Sequence, residues 1–232
     1  VELLTENSVR LYLAEDTIGL LMDAYSRKGD EDLVCQKWLR ESVPKRLIFE
    51  RLYGDLLRQT EGRRVLDVGG GLTCFTRLLG IRHDYTLIDL MAHDSAPAVE
   101  RATAGVDRFF IHAMDWYEFT PDASYDLVIA NDLFPNVDQR LELFLNKFLP
   151  FSKEIRLSLT YYPQARFYMT RRLQGQEFLF MLAWDGDMTA RVLEKFAGRI
   201  VAADLSLLTL ENKSVYPNGR QVCLTRLKGY QT

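Results

Sequence analysis

The stretch Val65-Leu66-Asp67-Val68-Gly69-Gly70-Gly71-Leu72-Thr73-Cys74, continued by Tyr85-Thr86-Leu87-Ile88-Asp89-Leu90, decides the fold. Residues 65–68 are apolar except for Asp67 and run straight into three glycines. The pattern predicts a strand over 65–68, a glycine turn, a helix over 72–79 and a second strand over 85–88 that ends on Asp89. This is the βαβ opening of a doubly wound nucleotide-binding sheet. Each part has a physical task. Glycines let the backbone approach a ligand with no Cβ in the way. The helix N-terminus presents N–H groups that lack intrahelical partners. An acid ending the second strand can accept hydrogen bonds from both hydroxyls of a ribose.

Beyond this unit the chain keeps alternating. A helix is expected over 95–104, a third strand over 108–112 followed by Asp115-Trp116, and a fourth over 125–130 ending in Asn131-Asp132-Leu133-Phe134. A helix over 137–148, a fifth strand over 155–160 leading into Tyr161-Tyr162-Pro163, and a helix over 188–197 follow. Residues 200–210 and 222–227 read as a closing antiparallel hairpin. The first sixty residues have no strand pattern. Apolar positions recur at helical spacing in Ile18, Leu21, Met22 and Tyr25 and again in Leu33, Val34, Trp38 and Leu39, with Gly29-Asp30 as the break. A further helix starts at 42–44 and runs to about residue 58, burying Leu47, Ile48, Leu52 and Leu56. The expectation is an α/β, Rossmann-like, doubly wound and mostly parallel seven-stranded sheet. A C-terminal antiparallel hairpin closes it, and an N-terminal helical cap (1–60) precedes the ligand-binding unit (61–232).

The 232 residues are 47% hydrophobic, enough for a full core, and carry a net charge of −3. No basic stretch is interleaved with aromatics, which argues against nucleic acid as a partner. Cys35, Cys74 and Cys223 are widely spaced and odd in number, so zinc, a redox pair and a disulfide framework are disfavoured and free thiols in a reducing compartment are expected. No apolar run reaches membrane-spanning length and no leader pattern is visible, which makes a cytoplasmic chain the expectation.

Two ligand classes compete for the glycine turn. A dinucleotide site wants G-x-G-x-x-G, but Cys74 stands at the third glycine position, and Asp67, two residues before the first glycine, would repel a pyrophosphate. An acid there suits a ligand carrying a cationic amine. The run 65–71, with Asp89, Asp115-Trp116 and Tyr125-Asp126-Leu127-Val128-Ile129-Ala130-Asn131, resembles the class I S-adenosylmethionine (SAM)-dependent methyltransferases over about residues 64–162. That resemblance implies roles. Gly69, Gly70 and Gly71 would pass close to the methionine part of SAM, and Asp67 would sense its ammonium directly or through water. Asp89 would hold the ribose. Asp115 would accept from the adenine amino group, with Trp116 or Leu90 packed on the ring. Asn131 would lie beside the sulfonium. From the cap, Tyr25, Trp38 and Arg46 are candidates to close over SAM, with Arg46 or Lys45 meeting its carboxylate.

SAM is electrophilic at every carbon on its sulfonium, and the usual reaction is in-line transfer of the methyl to a nucleophile, which needs alignment more than acid–base chemistry. Of the three histidines, His83, His93 and His112, none falls in the second half of the chain, and no cluster of metal ligands is evident, so a base- or metal-assisted phenol methylation is disfavoured. The asparagine–proline–proline–aromatic signature of amide and adenine methylation is missing. A small-molecule acceptor is therefore expected, with Asn131, Tyr161, Tyr162 and Tyr168 as catalytic candidates near the sheet's carboxyl edge. Residues 131–136, 158–162 and Tyr168 also resemble, more narrowly, the methyltransferase-fold enzymes that cyclise SAM to azetidine-2-carboxylate and methylthioadenosine. A third reading is a non-catalytic partner subunit, which the intact glycine turn and Asp89 speak against.

Overall fold

The computed structural model describes residues 1–171, 178–210 and 213–231. The N-terminal part holds a two-residue strand β1 (Glu2–Leu3) and helices α1 (Glu6–Leu13), α2 (Thr17–Tyr25), α3 (Val34–Glu41) and α4 (Val43–Arg58). The expected break falls at Gly29, whose φ of 97° suits glycine. Ser42 caps α4 and Pro44 sits in its first turn. This helix buries Leu47, Ile48, Leu52 and Leu56 in the same apolar cluster as Val65, Tyr85 and Leu87. Two ion pairs reinforce that packing. Arg156 reaches from the sheet to Asp55 and the Leu52 carbonyl on α4. Arg77 makes two bonds to Asp30, at 2.8 and 2.6 Å, with both side chains about 5% exposed.

The chain then runs through β2 (Arg64–Val68), α5 (Cys74–Arg82), β3 (Asp84–Ile88), α6 (Ala96–Thr103), β4 (Phe109–His112), β5 (Tyr125–Phe134), α7 (Leu141–Phe148) and β6 (Ser152–Tyr161). A two-stranded antiparallel ribbon, β7 (Arg166–Arg171) with β8 (Phe178–Ala183), precedes α8 (Gly186–Glu194) and the last strand β9 (Gln221–Lys228). The main sheet has seven strands in the order β1-β9-β6-β5-β2-β3-β4. Five neighbours, from β6 to β4, are parallel, while β9 pairs antiparallel with β6. This is the expected Rossmann-like, mostly parallel, seven-stranded architecture.

The differences have local causes. Helix α5 starts at Cys74 rather than 72, because Thr73 acts as N-cap and pairs with Thr76 in a capping box. Helix α7 starts at Leu141 rather than 137, since Val137 and Asp138 both donate to the Leu133 carbonyl in a tight turn. The hairpin strand expected over 200–210 does not form. Ile200 makes one isolated bridge to Leu227, and Leu205–Thr209 is a short 3₁₀ segment whose Asp204 side chain accepts from Ser206. The outer edge of β9 is taken instead by β1 from the other end of the chain. No helix among the described residues is long and apolar enough to cross a membrane.

Candidate active site

Parallel strands end together, so the turns after β2, β3, β4 and β5 converge on one edge of the sheet. There a cavity of about 680 Å³ opens between that edge and α3–α4. Its walls include Gly69, Gly70, Asp89, Leu90, Asp115, Trp116 and Asn131 from the sequence expectations, joined by Trp38 and Lys45 from the cap.

The glycine turn is built tightly. Gly69 and Gly71 have φ of 72° and 65°, where other residues are strained. A Cβ on Gly70 would sit 2.4–2.6 Å from the Asp67 carboxylate, and one on Gly71 would meet Cys35 Sγ at 2.3 Å. Asp67 is therefore under the turn and does not line the cavity. Tyr53 donates to its Oδ2 at 2.9 Å, and Tyr85 donates to the same oxygen. Oδ1 is buried without a partner. Burial pushes the Asp67 pKa up to about 7, against the lowering effect of the two tyrosine hydroxyls. Asp67 braces the turn from beneath, and its unpartnered Oδ1 is the one acceptor it keeps for a contact with the ligand, direct or through water.

The start of α5 also differs from expectation. The Cys74 N–H donates to Gln36 Oε1 at 3.0 Å, and the Phe75 N–H donates to Thr73 Oγ1 at 3.2 Å. The first donors of the helix are thus occupied by the protein and are not offered to a phosphate.

Asp89 stands at the end of β3 on the cavity wall, half-buried. Its Oδ1 accepts from the Met91 N–H at 2.7 Å and the Gly71 N–H faces the carboxylate, while no side chain among the described residues donates to it. Burial raises its pKa above the ordinary carboxylate range. A poorly solvated carboxylate facing a cavity with only backbone donors is suited to two ligand hydroxyls.

After β4, the two Asp115 oxygens receive Arg140 at 3.1 and 2.8 Å, and Oδ1 also accepts from the Tyr117 N–H. Arg140 also bonds Asp138, which accepts from Trp116 Nε1 at 2.7 Å. Trp116 is sunk among Phe134, Phe144 and Phe148, with the Arg140 guanidinium 4.8 Å from its ring centroid. Of the two residues expected to pack on a base, Leu90 is the more available, being about half exposed on the wall.

Near its carboxyl end β5 bulges. Asp132 has φ of 55°, and pairing with β6 shifts between Asn131 and Phe134. Ser158 donates to Asn131 Oδ1 at 2.9 Å and accepts from the Asp132 N–H at 2.7 Å, which fixes both residues at the cavity. The Asp132 carboxylate accepts from Thr160, Asn136 and Arg220, and Lys45 Nζ lies 3.9 Å away.

Several candidates fall elsewhere. Arg46 forks onto Asp16 at 2.8 and 2.9 Å and caps the Leu39 and Arg40 carbonyls, which locks the helical part together on the far side of α4. Its neighbour Lys45 reaches the cavity instead, because adjacent helical residues point about 100° apart. Tyr25 is exposed and absent from the wall. Tyr161 is 2% exposed in the apolar core. Tyr162 and Tyr168 pack on each other at 6.3 Å, and the Tyr168 hydroxyl donates to the Asn136 carbonyl from behind the wall. None of the three tyrosines lines the cavity. Sequence reasoning missed Asp132, Arg220 and Asn136 as wall residues, and did not place His93, which lies against Trp38 at the cavity.

The sheet order and the cavity over its carboxyl edge give a Rossmann-like fold shared with solved structures determined with SAM or S-adenosylhomocysteine. Among solved structures, the chain is similar to a DhpI–SAM–HEP complex (17% identity, 96% of this chain and 99% of that chain, TM-score 0.52). It is similar to Burkholderia thailandensis 1,6-didemethyltoxoflavin-N1-methyltransferase with bound 1,6-didemethyltoxoflavin and S-adenosylhomocysteine (16% identity, 98% of this chain and 92% of that chain, TM-score 0.51). The N-terminal domain of EvdMO1, determined with S-adenosylhomocysteine (SAH) and D-fucose, aligns over 77% of this chain and 80% of its own at 13% identity and a TM-score of 0.54. No protein-family model and no curated protein sequence matches the chain.

Proposed function

We propose that the protein is a SAM-dependent methyltransferase acting on a small molecule. The observation that carries this reading is Asp89, an under-solvated carboxylate without side-chain donors, facing a cavity beside a glycine turn whose helix donors are already occupied. A ribose without a pyrophosphate fits that arrangement, and a dinucleotide does not. The unpartnered Asp67 Oδ1 beneath the turn and the missing Cβ atoms at Gly69 and Gly70 are compatible with a cationic amino acid arm lying across the turn. The fold's solved relatives include proteins determined with SAM or SAH.

In this reading Asp89 holds the ribose hydroxyls, Leu90 covers one face of the base and Asp115 bounds its edge. Bound SAM supplies an electrophilic methyl on a sulfonium. The chain's own task is alignment and exclusion of water. Asn131, fixed by Ser158, lines the place where acceptor and methyl would meet. Asp132 already accepts from three side chains, so it orients its neighbours rather than taking a proton. The cavity's volume of about 680 Å³ suits a small acceptor.

The test is calorimetry with SAH, followed by turnover of SAM in the presence of a small-molecule extract, with products read by mass spectrometry. Tight SAH binding and extract-dependent SAH formation are expected. Absence of SAH binding refutes the reading and leaves a non-catalytic partner subunit. Methylthioadenosine and azetidine-2-carboxylate from SAM alone would replace methyl transfer by cyclisation.

A further inference from the structure

The cavity is longer than an adenosyl group needs. It runs from Asp89 at the end of β3, past the turn after β2 and Asn131 on β5, to Arg220 just before β9. These strands stand in the order β3-β2-β5-β6-β9. Four inter-strand spacings, about 19 Å, separate β3 from β9, and the Arg220 side chain reaches back from the β9 side across β6 to Asp132 near the end of β5. With a ribose anchored at Asp89, the sulfonium, attached through the ribose 5′-carbon, falls over the middle of this row. The end beyond β5 is left to the acceptor.

That end is cationic. Arg220 lines it with a side chain only 12% exposed. One of its nitrogens, Nη1, donates to Asp132 at 3.2 Å, while Nε is buried with no partner. Its guanidinium lies 4.2 Å from the Tyr216 ring centroid, and the Tyr216 hydroxyl turns toward Arg220 and Ser42. Lys45 reaches the same end from α4, over the Trp38 ring at 4.4 Å and 3.9 Å from Asp132. Two cations thus share one carboxylate. That carboxylate is further drawn on by Thr160 and Asn136, which leaves a net positive charge and unused donors in a poorly solvated place. An arginine stacked on an aromatic and fixed by one bond presents its remaining N–H groups in the planar fork that matches an oxyanion.

We propose that the methyl acceptor carries an oxyanion, a carboxylate or a phosphoryl group, that docks on Arg220 with Lys45 beside it. Asp132 and Tyr216 hold the guanidinium in place for this contact. The oxyanion anchors the acceptor at the far end and aims its nucleophile back toward Asn131. The proposal rests on the methyltransferase reading, because that reading assigns the Asp89 end to the nucleoside.

The experiment is an NMR titration of the full chain saturated with SAH, following the Arg220 Nε–Hε resonance, assigned by its loss in Arg220→Lys. The probes are inorganic phosphate and acetate, each against sodium chloride at equal ionic strength. A saturable movement with phosphate or acetate, and none with chloride, is the expected result. The responding probe tells a phosphoryl from a carboxylate acceptor. Lys45→Gln should raise the midpoint about tenfold, the effect of removing one close charge from a poorly solvated site. No movement with either oxyanion, or equal movement with chloride, overturns the proposal. Movement only in SAH-free protein also overturns it, because the cations then serve the cofactor's own carboxylate. Failure of SAH to bind at all is separate and counts against the methyltransferase reading.

Discussion

Replacing Asp89 by asparagine isolates the ribose contact without disturbing the turn. The amide keeps an oxygen to accept from the Met91 N–H, the bond that shapes the loop after β3. It loses the charge, and its other acceptor becomes a donor facing a hydroxyl. Hydrogen bonds to a charged group contribute about 1.5–3 kcal/mol and neutral ones about 1 kcal/mol. One charged bond lost and one made neutral sum to about 2–5 kcal/mol, or roughly 30-fold to a few thousand-fold in the SAH dissociation constant. Calorimetry on wild type and Asp89→Asn, with a circular-dichroism melt to establish folding, measures this. A second readout follows from the raised pKa of Asp89. Ribose hydroxyls favour the ionised carboxylate, so wild-type affinity should fall as the pH drops through that raised value. The asparagine variant should lack this part of the profile. A folded variant within about threefold of wild type, less than 1 kcal/mol, refutes the ribose assignment. So does an unchanged difference between the two across pH.

Asp67 makes a separate prediction about stability. Its pKa is raised to about 7 in the folded chain from an ordinary 3.8, so the folded state holds a proton that the unfolded chain releases. Stability should be fully present at low pH and fall between those values, by at most about 1.4 kcal/mol per pH unit, and Asp67→Asn should flatten the decline in urea denaturation. Equal profiles for the two proteins would remove Asp67 as the cause. Gly70→Ala drives a Cβ into a carboxylate held by two tyrosines, and should cost about 1–3 kcal/mol and weaken SAH binding. Gly198→Ala, with no atom within 4 Å of the added carbon, serves as the near-neutral control. Asp30→Ala strands the buried Arg77 guanidinium and should destabilise the protein by about 3–5 kcal/mol. An unchanged urea midpoint would mean that this pair does not hold the helical part to α5.

The sequence made the parallel half of the sheet readable because each strand there is a short apolar run closed by its own turn chemistry. Asp89 was readable for the same reason: it ends a strand, and its role depends on local geometry. The far end of the cavity was not. Asp132 reaches the wall through a left-handed residue and a bulge, features set by pairing with β6 rather than by the residues nearby. Arg220 meets Asp132 across 88 positions of chain. Arg46 and Lys45 are neighbours in sequence, and only the packing of α4 decides which one faces the cavity. The edge strand β1 was invisible because two residues carry no period. Tyr161 was misplaced by one strand face: alternation along β6 turns its ring into the core.

The brace beneath the glycine turn has a kinetic consequence. Two tyrosines hold Asp67, Asp67 fills the space under Gly70, and Cys35 closes against Gly71, so the turn has one shape before any ligand arrives. Ordering a loose glycine turn on binding would cost about 1–2 kcal/mol for each residue fixed. A turn already ordered saves that entropy, and association should then follow one exponential whose rate grows linearly with SAH concentration, with no slow rearrangement behind it. Tyr53→Phe with Tyr85→Phe would loosen the support from below and leave every ligand-facing atom in place. A second, concentration-independent phase in the association of that variant would mark a turn that must order on binding.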